Sequence, residues 1–250
     1  MVPFIDIHCH LDFPDILKDL DNIIARAKVA NVKVVTSGIN PESIRQSIDI
    51  SEKYDNVSLM VGIYPTHTVE LVNEGKFDSE LKFIKKNKKK IIGIGEIGLD
   101  YQEDSNKETQ QKCFRAQIEL AKKLNVPVLI HSRKAELDCI EILEEMQMKK
   151  VIMHCFCGKK SLVKRAADNG WYFTIPTKVT RMEQFQILVK EININQLFAE
   201  TDSPFMSPVA ETVNEPANVV ESYKMIAKLK GFEIEHVREN LFLNYRNLFG

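Results

Sequence analysis

Short runs of apolar and β-branched residues alternate along the chain with longer segments in which apolar positions recur every three to four residues. The short runs predict buried strands, and the longer segments, such as DNIIARAKVANV and QQKCFRAQIELAKKL, predict amphipathic helices. Regular alternation of strand and helix is typical of a parallel sheet. The predicted strands are residues 4–8, 32–38, 57–63, 90–96, 127–131, 150–155, 171–175 and 196–201.

Eight such repeats within 250 residues favour an α/β protein with a single (β/α)8 TIM barrel, a fold that takes about 250 residues. We therefore expect one domain over residues 1–250. An open doubly wound sheet is the alternative. Against it, no G-x-G-x-x-G follows the first strand, and the glycine-containing run 93–98 carries Glu96, which would repel a phosphate.

Side chains of metal-ligating type stand at the ends of the predicted strands. His8 and His10 are two residues apart, so they would emerge on one face of the first strand, on the same stripe as Asp6. A barrel gathers the carboxyl ends of its strands at one face, where such enzymes carry their chemistry. The other candidates are Glu96, His131, His154 and Asp202.

Each candidate taken alone has a structural explanation. A single histidine after an apolar run is often a hydrogen-bonded packing residue. Glu96 could cap a turn, and Asp202 could be an N-cap or Asx-turn residue before Pro204. Their coincidence at five strand ends favours a metal centre instead.

Imidazole and carboxylate ligands without thiolate suit Zn, Mn, Fe, Ni or Co, and Mg where oxygen ligands dominate. Six ligands are too many for one tetrahedral ion, so we expect two divalent ions, with Mg, Mn or Zn as candidates. We assign His8, His10 and Asp202 to one ion and His131 and His154 to the other, with Glu96 bridging. Such a pair polarises an ester oxygen and supplies hydroxide near neutral pH, with Asp202 as general base.

Six ordered motifs extend over nearly the whole chain: DIHCHLD (6–12), GIGEIGLDY (93–101), PVLIHSRKA (127–135), MHCFCG (153–158), ETDSPF (200–205) and NEPANV (214–219). In these the chain resembles the TatD-type deoxyribonucleases, metal-dependent hydrolases with an amidohydrolase-like barrel. The resemblance implies a DNA-cleaving enzyme with the six residues as metal ligands and Glu96 and Asp202 as catalytic groups.

One segment departs from the family pattern. Members commonly carry His-Pro-His after strand three, whereas this chain reads GIYPTH. Tyr64 replaces the first histidine, and an added residue separates Pro65 from His67. We expect His67 to reach a substrate phosphate or to support the metal ligands.

The net charge of −1 argues against an extended nucleic-acid surface, so any DNA contact must be local. We expect Arg133 to donate two hydrogen bonds to a phosphate and Lys159 to contact the same DNA backbone. Further candidate cations are Lys134, Lys160, Lys164, Arg165, Lys178 and Arg181, with the flank of a helix as the alternative place for Lys164 and Arg165. Candidate base-stacking aromatics are Tyr64, Tyr101, Phe156 and Phe205, with core packing favoured for Phe156.

A short DNA contact favours a 3′→5′ exonuclease or a lesion-directed endonuclease, in which metal-bound hydroxide attacks the phosphodiester. The lysine run 85–90 precedes strand four and indicates a solvated helix end on the opposite face. One rival function is hydrolysis of a small amide, lactone or phosphoester at the same metals. A second is a non-catalytic binding module.

Five scattered cysteines make a poor disulfide framework and indicate a reducing compartment. Strand alternation turns Cys9 and Cys155 away from the histidines beside them, and we expect no cysteine ligand; Cys157 would be the exception if the strand continued. With no leader and no apolar run of about 18 residues, we expect a cytoplasmic protein without membrane contact or an obligate protein partner.

Overall fold

The computed structural model describes residues 1–104 and 106–250. Its eight strands belong to one sheet, in the order β1 to β8, with helices between them. This is the predicted (β/α)8 TIM barrel. The strands are β1 Phe4–Cys9, β2 Val32–Gly38, β3 Val57–Val61, β4 Gly93–Asp100, β5 Val128–Arg133, β6 Val151–Met153, β7 Tyr172–Pro176 and β8 Leu197–Glu200.

Eleven α-helices lie in the described ranges, together with 3₁₀ turns at Thr177–Thr180, Ile194–Gln196 and Pro216–Asn218. No helix there is both long and apolar enough to cross a membrane. The helices are α1 Pro14–Leu17, α2 Leu20–Val29, α3 Pro41–Lys53, α4 Pro65–Asn73, α5 Phe77–Lys86, α6 Lys107–Leu124, α7 Glu136–Glu145, α8 Lys160–Asp168, α9 Glu183–Glu191, α10 Val219–Lys230 and α11 Ile234–Phe249.

The strand predictions differ most from the structure at β4, which was expected over 90–96 and runs over Gly93–Asp100. The lysine run ends α5 and the turn after it, where most of its side chains are exposed, as predicted. The pairing of β4 with β5 shifts register between Ile94 and Ile97, which indicates a bulge at Glu96. The prediction that strand four ends at Glu96 is therefore wrong: Glu96 lies inside β4, and Asp100 ends it.

The neighbouring strands β5 and β6 differ less. Strand β5 continues two residues beyond His131, to Arg133. Strand β6 stops at Met153 instead of residue 155, because Cys155 has a positive φ of 41° that ends the extended conformation.

The chain divides into two compact units. Unit 1 comprises Met1–Thr36, Asp49–Ser58 and Tyr172–Gly250, and unit 2 comprises Ser37–Ile48 and Leu59–Trp171.

In unit 1, β1 pairs with β2, and β7 pairs with β8, in parallel. Helix α10 buries a stripe at helical spacing that includes Val219, Tyr223 and Ile226. The Tyr223 hydroxyl accepts a hydrogen bond from the Ile5 N–H at 2.9 Å and donates to the Ile5 carbonyl at 3.1 Å. This one side chain fastens α10 to the backbone of β1 at Ile5, three residues before His8.

In unit 2, β4 pairs with both β3 and β5, and β5 pairs with β6. Helix α6 places two buried glutamines on one face, seven residues apart. Gln117 exchanges two hydrogen bonds with the backbone of Ile63, and Gln110 does the same with Asp100. The two amides fix the backbone beyond β3 and at the end of β4, because a buried peptide group must find a partner.

We predict that Tyr223→Phe lowers the free energy of unfolding by about 1–3 kcal/mol, because the N–H and carbonyl of Ile5 lose a shared partner in a buried site. Urea denaturation measures the change. Tyr245→Phe is the matched control, since the Tyr245 ring packs on Phe249. Equal losses for the two variants would contradict the role of the Tyr223 hydroxyl.

Candidate metal centre

Unit 1 brings together three of the predicted ligands. His8, His10 and Asp202 are all buried. The two imidazole rings lie edge to face, with centroids 4.7 Å apart, as expected for alternate residues leaving one strand. Their Nε2 atoms lie 3.4 Å and 3.7 Å from the same carboxylate oxygen, Asp202 Oδ1.

Backbone pairing carries Asp202 to this position. Beyond β8 the chain continues to pair with β1: the Asp202 N–H donates to the His8 carbonyl at 2.9 Å, and the His10 N–H donates to the Ser203 carbonyl at 2.8 Å. Asp202 has a positive φ of 53°, a conformation that aspartate tolerates better than most residues. Strain of this kind is commonly stored at functional sites.

The spacing of these atoms fits a shared cation. Two ligands about 2.1 Å from one zinc ion, at a tetrahedral angle, lie about 3.4 Å apart. The two histidine–aspartate distances, 3.4 Å and 3.7 Å, match that spacing and exceed the usual length of a direct hydrogen bond. Two imidazole nitrogens and a carboxylate oxygen are also a donor set that divalent metals accept.

Below Asp202, unit 1 contains a network that sequence reasoning missed. The N–H and hydroxyl of Thr201 donate to the two carboxylate oxygens of Asp6, at 2.8 Å and 2.6 Å. The side-chain amide of Asn214 donates to the Thr201 carbonyl at 2.8 Å. Burial raises the pKa of Asp6 well above its ordinary value, and the Thr201 hydrogen bonds oppose that rise. Asp6 thus fixes the residue that precedes Asp202.

Unit 2 brings together the other three predicted ligands. Glu96 and His154 are buried, and His131 is partly buried. His154 follows β6, and its N–H donates to the Ile130 carbonyl at 3.0 Å, which extends the pairing with β5. His154 Nε2 lies 3.7 Å from Glu96 Oε1, again close to the spacing of two ligands.

His131 is held differently, by direct hydrogen bonds at both ring nitrogens. Nδ1 lies 2.8 Å from Glu96 Oε1, and Nε2 lies 3.0 Å from Asp100 Oδ2. Burial alone would lower the pKa of His131, but the bonds to Asp100 and Glu96 raise it to about 9. Burial alone would likewise raise the pKa of Asp100, yet the bonds from His131 and from backbone N–H groups hold it below its ordinary value.

Tyr64 joins the same network, which the sequence did not reveal. Its hydroxyl donates to Asp100 Oδ2 at 3.2 Å and lies 3.1 Å from His131 Nε2. Burial, together with the charges of Glu96 and Asp100, raises the pKa of Tyr64, so the hydroxyl stays neutral and keeps its proton. The motif GLDY contained the signal for Asp100, but no spacing rule links it to His131.

Several of these side chains belong to groups that could hold a metal ion: His8, His10, Glu96, His154 and Asp202. Cys155, next to His154, also belongs to such a group, so the absence of a cysteine ligand stays a prediction. The exposed Cys157 thiol donates to the Cys155 carbonyl.

The predicted substrate contacts all lie in unit 2. Arg133 ends β5, and its guanidinium pairs with Glu103 at 2.9 Å, both side chains being about half exposed. Lys159 is exposed at the N-cap of α8. His67 lies in the first turn of α4, and its buried Nδ1 has no hydrogen-bond partner in the described ranges.

Three of the other candidate cations already bind protein groups. Lys164 pairs with Asp168, and Arg165 with Glu144, which places both on the helix flank that the sequence left as the alternative. Arg181 donates to the Ser207 carbonyl.

Some of the aromatic candidates are likewise held within the protein, while one remains exposed. Phe156 is 2% exposed and packs in the core, as favoured, while the Tyr101 hydroxyl donates to Asp138. Phe205, by contrast, is 50% exposed and lies with its ring centroid 6.4 Å from that of the candidate ligand His10.

The (β/α)8 sheet and its histidine–carboxylate groups define a barrel-type, metal-dependent hydrolase. A family model described as TatD related DNase matches residues 5–250, and the chain belongs to that family. It is 35% identical to the human protein named Deoxyribonuclease TATDN3, over 99% of this chain and 95% of that one. It is 32% identical to a Methanocaldococcus jannaschii protein described as an uncharacterized metal-dependent hydrolase, over 99% and 97% of the two chains.

A solved structure shares the fold. The Escherichia coli TatD homologue YJJV superposes with a TM-score of 0.91 at 24% identity, covering 100% of this chain and 99% of that one.

We predict that Thr201→Val lowers the free energy of unfolding by about 1–3 kcal/mol, because a buried oxygen of Asp6 loses its hydroxyl donor while the side-chain shape is kept. Thermal and urea unfolding measure the loss. Thr109→Val, in the first turn of α6, is the control. Unchanged stability in Thr201→Val would show that the Asp6 network does not anchor this loop.

Proposed function

We propose that this chain cleaves a phosphodiester bond of DNA in a reaction that requires divalent metal ions. The proposed ligands are His8, His10 and Asp202 for one ion, and Glu96, His131 and His154 for a second. The observation that carries the proposal is the spacing of 3.4–3.7 Å between imidazole nitrogens and a carboxylate oxygen, which occurs in each unit. The human relative named a deoxyribonuclease supports DNA as the substrate.

Divalent ions, when bound, polarise a phosphoryl oxygen and lower the pKa of a coordinated water molecule. The Asp202 carboxylate would accept a proton from the attacking water molecule. Its positive φ and its backbone bond to His8 keep the carboxylate fixed while the proton moves. Glu96, buried inside β4, would supply negative charge to offset the ion held in unit 2.

We propose that Arg133, Lys159 and His67 contact the DNA backbone. An exposed ion pair contributes little stability, so a phosphate can displace Glu103 from Arg133 and receive both guanidinium N–H groups. Lys159 adds an exposed cation, and the partly buried His67 side chain adds an imidazole. The small number of such contacts favours cleavage at an end or a lesion.

We predict metal-dependent cleavage of labelled DNA by the purified protein, tested with single-stranded, duplex and abasic-site oligonucleotides and with Mg, Mn or Zn. Chelation should abolish cleavage. Asp202→Ala and Glu96→Ala should lower the rate about 10²–10⁴-fold or more and weaken metal binding, because each removes a ligand and a catalytic carboxylate. The lengths of the products over time separate the two activities. A 3′→5′ exonuclease shortens a 5′-labelled strand one nucleotide at a time, whereas an endonuclease cuts at internal positions.

Asp138→Asn is the matched control, since this half-buried carboxylate of α7 bonds to Tyr101 and not to a proposed ligand. Circular dichroism checks that each variant is folded. A panel of lactones, amides and small phosphoesters runs in parallel. Turnover confined to that panel, or full DNA cleavage by metal-repleted Asp202→Ala, would contradict the proposal.

Phe205 provides a place where a base can stack. Its ring lies 5.4 Å from that of Phe13 at 85°, edge to face, and half of the residue remains exposed beside His10. Stacking of a base on an aromatic side chain is worth about 1–3 kcal/mol and does not depend on which base is present. We propose that Phe205 stacks a nucleotide next to the scissile phosphate.

We predict that Phe205→Ala raises KM for single-stranded DNA about 5- to 150-fold and changes kcat much less, corresponding to the loss of one stacked base. The effect should vanish on an oligonucleotide with abasic sites on both sides of the cut. Phe232→Ala, an exposed phenylalanine that packs on His236, is the control. An equal penalty on abasic and normal DNA would refute stacking.

A further inference from the structure

His131 differs from the other candidate ligands because a direct hydrogen bond is made at each of its two ring nitrogens. Nδ1 faces Glu96, which belongs to the proposed metal site, at 2.8 Å. Nε2 lies 3.0 Å from Asp100 Oδ2 and 3.1 Å from the Tyr64 hydroxyl. The two nitrogens therefore have separate surroundings.

Asp100 is a rigid partner for Nε2. The N–H groups of Gln102 and Glu103 both donate to its Oδ1 at 3.0 Å, which leaves Oδ2 for the side chains. Its backbone is fixed in turn by the two hydrogen bonds to the Gln110 amide. The carboxylate is fully buried and lies at the end of β4, so it cannot move away without leaving several groups unpaired.

Tyr64 closes a triangle of hydrogen bonds. Its hydroxyl donates to Asp100 Oδ2 and lies where it can accept from His131 Nε2. Its backbone is held as well, because the Tyr64 N–H donates to Ile39 and its carbonyl accepts from Thr68 as α4 begins. The tyrosine therefore reaches Asp100 from a fixed position.

The hydrogen bond to Asp100 fixes one proton on the ring of His131, at Nε2. An ionised carboxylate only accepts hydrogen bonds, so Nε2 must carry a proton. Nδ1 lies 2.8 Å from the Glu96 carboxylate, which also only accepts, so Nδ1 is the nitrogen whose proton a bound cation would replace. Metal-binding histidines commonly donate their other N–H to a carboxylate, which fixes both the tautomer and the orientation of the ring.

We propose that Tyr64 and Asp100 form a clamp, the Tyr64–Asp100 clamp, that positions His131 and presents its Nδ1 atom as the metal ligand. Both are positioning residues that act through His131. This inference rests on the proposed function, since it assumes that His131 binds metal. It assigns a purpose to Tyr64 at the position where the family pattern has a histidine.

The test is Asp100→Asn, which keeps the shape of the side chain. The N–H groups of Gln102 and Glu103 require an acceptor, so the amide oxygen should occupy the Oδ1 position and the NH₂ group should face His131. Nε2 must then accept, so the neutral ring keeps its one proton on Nδ1, where it opposes metal binding. We expect affinity for Zn²⁺ and Mn²⁺, measured by chelator competition, to fall about 10- to 100-fold.

A spectroscopic readout separates positioning from a general structural defect. In protein labelled with ¹⁵N-histidine and loaded with Zn²⁺, the His131 signals, identified by their loss in His131→Gln, should show a protonated Nε2 in the wild type. Asp100→Asn should lose this pattern. Tyr64→Phe keeps the aromatic ring and removes the hydroxyl that bonds to Asp100. It should lower metal affinity by a smaller factor than Asp100→Asn does.

Tyr101→Phe and Asp138→Asn are the matched controls, because they alter a neighbouring tyrosine–aspartate pair that does not touch His131. Both should keep wild-type metal affinity. Unchanged affinity and an unchanged His131 signal in Asp100→Asn would overturn the clamp. If Asp100→Asn does not fold, the same two readouts on Tyr64→Phe decide.

The outcomes distinguish this inference from the proposed function. Metal binding that requires His131 but not Asp100 or Tyr64 would refute the clamp alone. Metal binding with the expected clamp effects, but without cleavage of DNA, would refute the proposed substrate alone. A wild-type protein that binds no divalent ion would overturn both.

Discussion

A buried carboxylate must be matched by donors or cations, and this constraint organises the strand ends of both units. Asp6 is matched by Thr201, and Asp100 by backbone N–H groups, His131 and Tyr64. Glu96 and Asp202 are buried next to imidazole nitrogens. Glu96 also makes a direct hydrogen bond with His131, while the distances from Asp202 to His8 and His10 and from Glu96 to His154 suit a shared cation. One electrostatic requirement thus explains both the scaffold and the ligands.

The alternation of hydrophobic runs predicted the fold well because parallel barrel strands are buried on both faces. Strand β2 has the predicted bounds, and β7 and β8 differ by one residue at the ends. Strand β4 was misplaced because a lysine-ended helix precedes it and glycines interrupt its apolar pattern. The bulge in β4 arises in its pairing with β5, and the sequence of β4 alone does not predict that pairing. Glu96 was therefore found by residue type while its place in the strand was wrong.

Strand periodicity brought out His8 and His10, because that rule needs no knowledge of distant residues. The supporting residues follow no such rule: Asp100 meets His131 from 31 positions away, and Thr201 meets Asp6 from 195. Arg165 likewise was ambiguous until the helix that carries Glu144 was in place. Tertiary contacts decide whether a polar residue supports a site, so sequence alone identifies ligand types better than their supports.

The distances divide the polar residues into two kinds with different functions. Bonds of 2.6–3.0 Å, as between Thr201 and Asp6 or between Asp100 and His131, are direct hydrogen bonds that fix the positions of both partners. Separations of 3.4–3.7 Å around Asp202 and Glu96 leave room for an ion between the atoms. His131 makes direct hydrogen bonds at both nitrogens, to Asp100 at 3.0 Å and to the proposed ligand Glu96 at 2.8 Å. It is therefore the residue through which the hydrogen-bonded scaffold can set the geometry of a bound metal.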